Sequence, residues 1–340
     1  MKTITKIFLL LVCGSNLFSC TDFIIENKLN NYIVGRSMEF GLPLQSKIEV
    51  FQKKQKFISK IEDKTGMEFN YKYSFIAVTS FDHFVTDGMN EKGLSFGILW
   101  FQSAKYPEND LSNLKNVLAL EDIGNWILSS FQNIDELKNG LKKIKFYVHK
   151  IKDLNEIVPI HVSIHDANGK SLVVEFINEK IEISENAVGV LTNEPKLEWH
   201  VTNLSNFINL DAMNKASIIF DGTVIDPTGQ GSGLLGLPGD WTPPSRFIRT
   251  AFMKNFIIKP KTDHQTVNLA FHLLNAVDIP YGAIRTKDGK NYEFTRWVVV
   301  KDLKNKKLFY RTYKDLIINE INVIDAIKAN KSIPMIGTDL

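Results

Sequence analysis

This sequence predicts an α+β fold, one domain with helices stacked outside β-sheets. Three observations carry that expectation. Segments near both ends alternate apolar and polar side chains as strands do, while stretches between them repeat apolar residues at helical spacing. The order runs strands, helices, strands, helices, strands, and no Pro- or Ser-rich linker and no internal repeat divides it.

The elements follow from local pattern. Cys20-Thr-Asp-Phe-Ile-Ile-Glu26 alternates, breaks at Asn27-Lys-Leu-Asn-Asn31 and resumes as Tyr32-Ile-Val-Gly-Arg-Ser-Met38, a hairpin that begins at a cysteine. Strands are expected at 48–52, 71–79 and 94–99. From 113 to 131 the apolar residues Leu114, Val117, Leu118, Ile123, Trp126 and Ile127 predict a helix, and 135–144 predicts a second. Strands near 161–165, 171–176 and 187–191 come next. The glycine-rich stretch 229–239 reads as a long loop that could border a pocket. Helices at 245–256 and 266–276 precede closing strands at 294–301 and 307–313.

A net charge of +3 is small for a chain of 340 residues, and its lysines are scattered rather than gathered with aromatics, so nucleic-acid binding has little support. Residues 1–19 read as a removable signal peptide: Lys2 and Lys6 precede a short apolar run, Ile7-Phe-Leu-Leu-Leu-Val12, too short to span a bilayer. Residues 20–340 are then the mature domain, exported to the periplasm or secreted. Cys13 leaves with the leader, so the mature chain keeps one thiol and no internal disulfide.

An N-terminal Cys20 would carry a thiol and a free α-amine, a nucleophile and a base on one residue. The rival is equally concrete. Leu17-Phe-Ser-Cys20 resembles a lipobox, in which the cysteine is acylated and anchors a binding protein to a membrane.

Other chemistry finds little footing. The seven histidines include no HExxH and no CxxC is present, so no metal site is expected. Gly169-Lys170-Ser171 lacks the earlier glycine of a phosphate loop, and Asn168-Gly169 reads as a hairpin turn. No G-x-S-x-G elbow marks a catalytic serine. A papain-type pair using His161 or His200 as base stays open.

Cys20-Thr21, Gly35-Arg-Ser-Met-Glu39, Asp87-Gly-Met-Asn-Glu-Lys-Gly-Leu94, Leu191-Thr-Asn-Glu-Pro195, Leu237-Pro-Gly-Asp240, Ser245-Arg-Phe247, Asn275-Ala-Val-Asp278 and Thr295-Arg-Trp297, in that order, closely resemble the choloylglycine hydrolase family, which holds bile salt hydrolases and penicillin V acylases. The resemblance implies an N-terminal-nucleophile hydrolase with a four-layer αββα sandwich. It favours a nucleophilic Cys20 over a lipid anchor. By the same resemblance Arg36 is the arginine beside the nucleophile, Glu39 stands where many members have an amine-binding Asp, and Asn193 donates to the oxyanion. The Trp100 backbone N–H would be the second oxyanion donor, Trp at this place being similar to the Gram-negative branch. Arg246 would be a second active-site arginine. Phe40, Trp100, Phe101 and the leucines of 233–237 are expected at the mouth of an apolar acyl pocket. The implied reaction cleaves N-acyl amides (conjugated bile salts, penicillin V or N-acyl homoserine lactones) through a thioester, with no metal or organic cofactor. Family members often form homotetramers, and the sequence leaves the oligomeric state open.

Overall fold

In the computed structural model, residues 18–81, 84–108, 112–150, 156–286, 289–335 and 337–338 are described; most of the expected leader, 1–17, lies outside them. Two large sheets hold, in chain order, β1 (Phe18–Glu26), β2 (Tyr32–Phe40), β3 (Lys47–Phe51), β4 (Phe75–Ser80), β5 (Phe84–Asn90), β6 (Ser95–Trp100), β7 (Ile160–His165), β8 (Ser171–Ile177), β9 (Lys180–Glu185), β10 (Val190–Leu191), β11 (Thr295–Asp302), β12 (Lys307–Thr312), β13 (Asn319–Asn322) and β14 (Ile333–Pro334). The six-stranded sheet runs β10-β1-β2-β11-β12-β13 and the eight-stranded sheet β9-β8-β7-β6-β5-β4-β3-β14.

Helices close both outer faces. Helix α1 spans Ile123–Ser130, α2 Ile134–Leu141, α3 Leu197–Asn203, α4 Pro243–Phe256, α5 Asp263–Asn275 and α6 Val323–Ala329. Helices α4 and α5 pack on the six-stranded sheet, and α1 and α6 on the eight-stranded one, which completes an αββα sandwich. Among the described residues no helix is long and apolar enough to cross a membrane.

Because both faces of the central strands are covered, alternation here decides which layer a side chain meets rather than whether it is buried. On β1 and β2, Cys20, Asp22, Arg36 and Met38 point into the space between the sheets, where they meet one another and Asp87 and His165 of the opposite sheet. Thr21 and Glu39 point to the helical side, toward Arg246 of α4.

Several local expectations are corrected. The segment 113–131 is α-helical only from Ile123, with 3-10 turns at Leu114–Asn116 and Leu120–Asp122; Val117–Ala119 between them pairs in parallel with Lys145–Tyr147, and the Ala119 N–H donates to Ser59 Oγ at 2.8 Å. Tertiary pairing there overrides a helical spacing. The stretch 71–79 becomes a strand only from Phe75. Strands β5 and β9, the hairpin Lys56–Ile61 with Lys64–Asn70 and helices α3 and α6 carried no recognised signal. Strand β5 contains Asp-Gly and Asn, residues of low strand propensity, which weakens its local signal. In the structure Gly88 is needed because a Cβ there would stand 2.7 Å from both the Ile76 carbonyl oxygen and Leu128 Cδ1 of α1. Asn90 closes the turn that follows, donating to the Leu128 and Phe131 carbonyls and accepting from the Lys92 and Leu94 N–H groups.

Candidate active site

Cys20 is 3% exposed, with Met38 Sδ 3.8 Å from its sulfur. The β1–β2 register pairs Cys20 with Met38 and Asp22 with Arg36, so the arginine sits one step along the same face. From there Arg36 Nη2 donates to Cys20 Sγ at 3.5 Å. The backbone N–H of Trp100, at the end of β6, hydrogen-bonds the same sulfur. Burial pushes the thiol above its ordinary range; Arg36 opposes this, Glu39 adds to it, and Arg246 and the Trp100 amide oppose it further. The resting thiol is therefore protonated at neutral pH and needs a base to react.

Asn193 is pinned on both ends of its side-chain amide. Its Oδ1 accepts from the Cys20 backbone N–H at 2.8 Å and from Arg246 Nη2 at 2.7 Å. A guanidinium can only donate, which fixes the oxygen toward Arg246 and the nitrogen away from it. That nitrogen donates to the Trp100 carbonyl at 2.8 Å and keeps a second proton for another acceptor. Glu194 ties the same two segments together by accepting from the Ser103 N–H at 2.9 Å.

Arg246 lies in the first turn of α4, which Pro243 begins. Fully buried, it spreads its fork over the Cys20 carbonyl at 2.5 Å, Thr21 Oγ1 at 2.8 Å, Asn193 Oδ1 at 2.7 Å and the Trp241 carbonyl at 2.9 Å. Glu39 faces it from β2. Burial raises the Glu39 carboxyl to about 8 against the pull of Arg246, and Thr295 Oγ1 donates to its Oε1 at 2.9 Å. Sequence reasoning missed Glu293, a buried neighbour of Glu39 that accepts from the Ser19 N–H and hydroxyl; burial raises it too. Its position just before the Thr295-Arg-Trp297 motif was the available signal.

A cavity of about 40 Å³ lies beside Cys20, lined by Met38, Phe40, Phe81, Phe84, Trp100 and other largely apolar side chains. Phe40 and Trp100 are where the sequence placed them. Phe101 is not: it is buried, stacked on His161 at 4.9 Å, and absent from the cavity wall. The leucines of 233–237 do not line it either, and Leu235 is 89% exposed.

The papain-type alternative is corrected as well. His161 Nε2 donates to the Thr192 carbonyl at 2.8 Å and His200 Nε2 to the Asn193 carbonyl at 3.0 Å, so both histidines hold the loop that presents Asn193 rather than the sulfur. His200 also stacks on Phe247 at 4.6 Å, and burial depresses it to about 4. A histidine depressed on folding contributes stability that is fully present above pH 6.5 and is withdrawn as pH falls toward 4. Urea titrations between pH 7 and 4 should lose on the order of 3 kcal/mol from this residue, a share that His200→Gln lacks. Identical slopes for the two proteins would contradict it.

Residues 20–330 match the family model described as linear amide C-N hydrolases, choloylglycine hydrolase family. A bile salt hydrolase/transferase of Clostridium perfringens is 34% identical over 315 residues, 92% of this chain and 93% of that protein. A crystal structure of a variant of the conjugated bile acid hydrolase from Clostridium perfringens superposes with a TM-score of 0.82 at 31% identity, covering 92% of this chain and 95% of that one. The penicillin V acylase of Agrobacterium tumefaciens superposes with a TM-score of 0.74 at 25% identity, over 89% of this chain and 86% of that one. With the shared αββα sandwich, these likenesses make the chain a member of the choloylglycine hydrolase family of linear amide C–N hydrolases.

Proposed function

We propose that this hydrolase cleaves N-acyl amides with Cys20 as an N-terminal nucleophile, after residues 1–19 are removed during export. The observation that carries the reading is the convergence of Arg36, the Trp100 amide and Asn193 on a cysteine beside an apolar cavity. In the full chain the Cys20 nitrogen is a peptide N–H engaged with Asn193 Oδ1. Freed as an α-amine, it would take the thiol proton that the buried, protonated sulfur must lose. The sulfur attacks the carbonyl carbon. The free amide proton of Asn193 and the Trp100 N–H receive the oxyanion. The α-amine returns its proton to the leaving amine, and water then resolves the thioester.

The acyl side is apolar, as the cavity wall suggests. At about 40 Å³ the cavity is far below the roughly 300–1,000 Å³ of ligand pockets, so binding would spread Phe40, Phe81 and Trp100. Conjugated bile salts, penicillin V and long-chain N-acyl homoserine lactones are the candidate substrates; the first two correspond to the named activities of the relatives. A homotetramer gains support from the hairpin Ile218–Phe220 with Thr223–Ile225, whose six residues are all exposed, Ile219 at 78% and Phe220 at 66%.

The test is amine release by purified protein beginning at Cys20, on glycocholate, penicillin V and a long-chain acyl homoserine lactone, with intact mass and light scattering on the same sample. Turnover of one substrate by a protein with unmodified Cys20 is expected. A diacylglyceryl mass on Cys20 would favour the lipid-anchored reading and overturn this one, as would no release from any of the three. A monomer mass would remove the tetramer.

A further inference from the structure

The mechanism leaves a buried charge cluster between the sheets unused. Asp87 of β5 is 0% exposed and takes both carboxylate oxygens to Lys301 Nζ of β11, at 2.8 and 2.7 Å. Its Oδ2 also lies 3.7 Å from Arg36 Nε. Asp22, the cross-strand neighbour of Arg36, is engaged elsewhere, accepting from Ser163 Oγ at 2.7 Å and meeting His165 Nε2 at 2.6 Å.

Arg36 needs an external hold. Nη2 reaches Cys20 Sγ, but Nε and Nη1 find no hydrogen-bond acceptor among the described residues. What remains to set the guanidinium is the Asp87 charge, the Trp297 ring 5.8 Å away and the space above Gly97. Gly97 lies between Asp87 and Ser163 in the eight-stranded sheet, and a Cβ there would stand 3.1 Å from Arg36 Cδ and 3.2 Å from Nη1. The Asp-Gly motif of β5 thus carries two separate duties: Gly88 admits α1, and Asp87 faces the arginine.

We infer that Asp87, held by Lys301, is a positioning residue that turns Arg36 so that Nη2 meets Cys20 Sγ, with Gly97 keeping the corridor open. The inference rests on Cys20 being the nucleophile. Its signature is a sign. Burial pushes the Asp87 carboxyl up, and Lys301 and Arg36 oppose this. With both oxygens on the Lys301 ammonium it is held as a carboxylate, so its direct field disfavours a thiolate, and removing it should by itself make the thiol more acidic. Acting through Arg36 it does the opposite, because a misplaced guanidinium no longer supports the thiolate. The other titratable groups near the site are Glu39 and Arg246 on the helical side and Asp22, His165 and Lys301 between the sheets; Asp87→Asn takes the carboxylate from Lys301, whose bared ammonium would favour a thiolate, while Gly97→Ala leaves that pair in place.

The chain beginning at Cys20 has a single cysteine, so iodoacetamide alkylation against pH reads that thiol without substrate. Asp87→Asn is expected to move the alkylation midpoint up by about one pH unit and to lower kcat roughly 10- to 100-fold with KM little changed. Gly97→Ala should move the midpoint the same way with no change of charge, and it serves alone if Asp87→Asn does not fold. A midpoint that falls or stays in folded Asp87→Asn, or an unmoved midpoint in Gly97→Ala, overturns the inference. Failure of the nucleophile assignment is separately visible: the alkylated parent protein would keep hydrolysing amide.

Discussion

Cys20→Ala, in a protein beginning at residue 20, is expected to lower amide hydrolysis by about 10⁴-fold or more, the scale on which removal of a nucleophile acts. The substitution leaves the α-amine in place, so it separates the thiol from its proposed base. It leaves the fold nearly untouched. The sulfur's side-chain contacts include Met38 Sδ at 3.8 Å and Arg36 Nη2 at 3.5 Å, and losing one buried heavy atom should cost about 1 kcal/mol. Amine release followed by mass spectrometry, with urea unfolding on the same sample, checks both halves. Residual turnover near the parent rate in a folded variant would mean that another group performs the attack.

Arg246→Met is expected to destabilise the protein by about 3–5 kcal/mol, the usual loss when one partner of a buried charged network is removed. The Cys20 and Trp241 carbonyls and Asn193 Oδ1 would each lose a donor, while the buried Glu39 and Glu293 would lose their facing cation. With Oδ1 released, the Asn193 amide can turn, and kcat should fall by about 10²- to 10³-fold, the size of one missing oxyanion donor. Arg246→Lys should recover little of the kcat loss. One ammonium cannot match a planar fork that meets four acceptors from three nitrogens. Full recovery by lysine would show that charge alone is needed at this position.

Through the family resemblance Cys20, Arg36, Glu39, Asn193 and Arg246 were legible in motifs far apart in the chain, and Trp100 by its place after the Asp87–Leu94 motif; the structure gathers them around one sulfur. Phe101 was not legible, because an aromatic following a strand looks the same whether it lines a cavity or stacks on a histidine. His161 and His200 were visible only as candidate bases. Their actual partners, the Thr192 and Asn193 carbonyls, are backbone groups that no side-chain pattern announces.

By itself the sequence determined the hairpin of residues 20–26 with 32–38, whose first strand the structure begins two residues earlier at Phe18, the α+β class, and the fact that Arg36 and Glu39, three residues apart on one strand, must face opposite ways. Period-two geometry alone dictates the last of these. Only the tertiary structure decided what each face meets: a second sheet carrying Asp87 and Gly97 on one side, α4 with Arg246 on the other. It likewise made Val117–Ala119 a strand against Lys145–Tyr147. The physical reason is common to both. Local pattern sets the direction of a side chain, but the partner across a layer comes from residues tens to hundreds of positions away, and the packing energy that chooses it is absent from any short window of sequence.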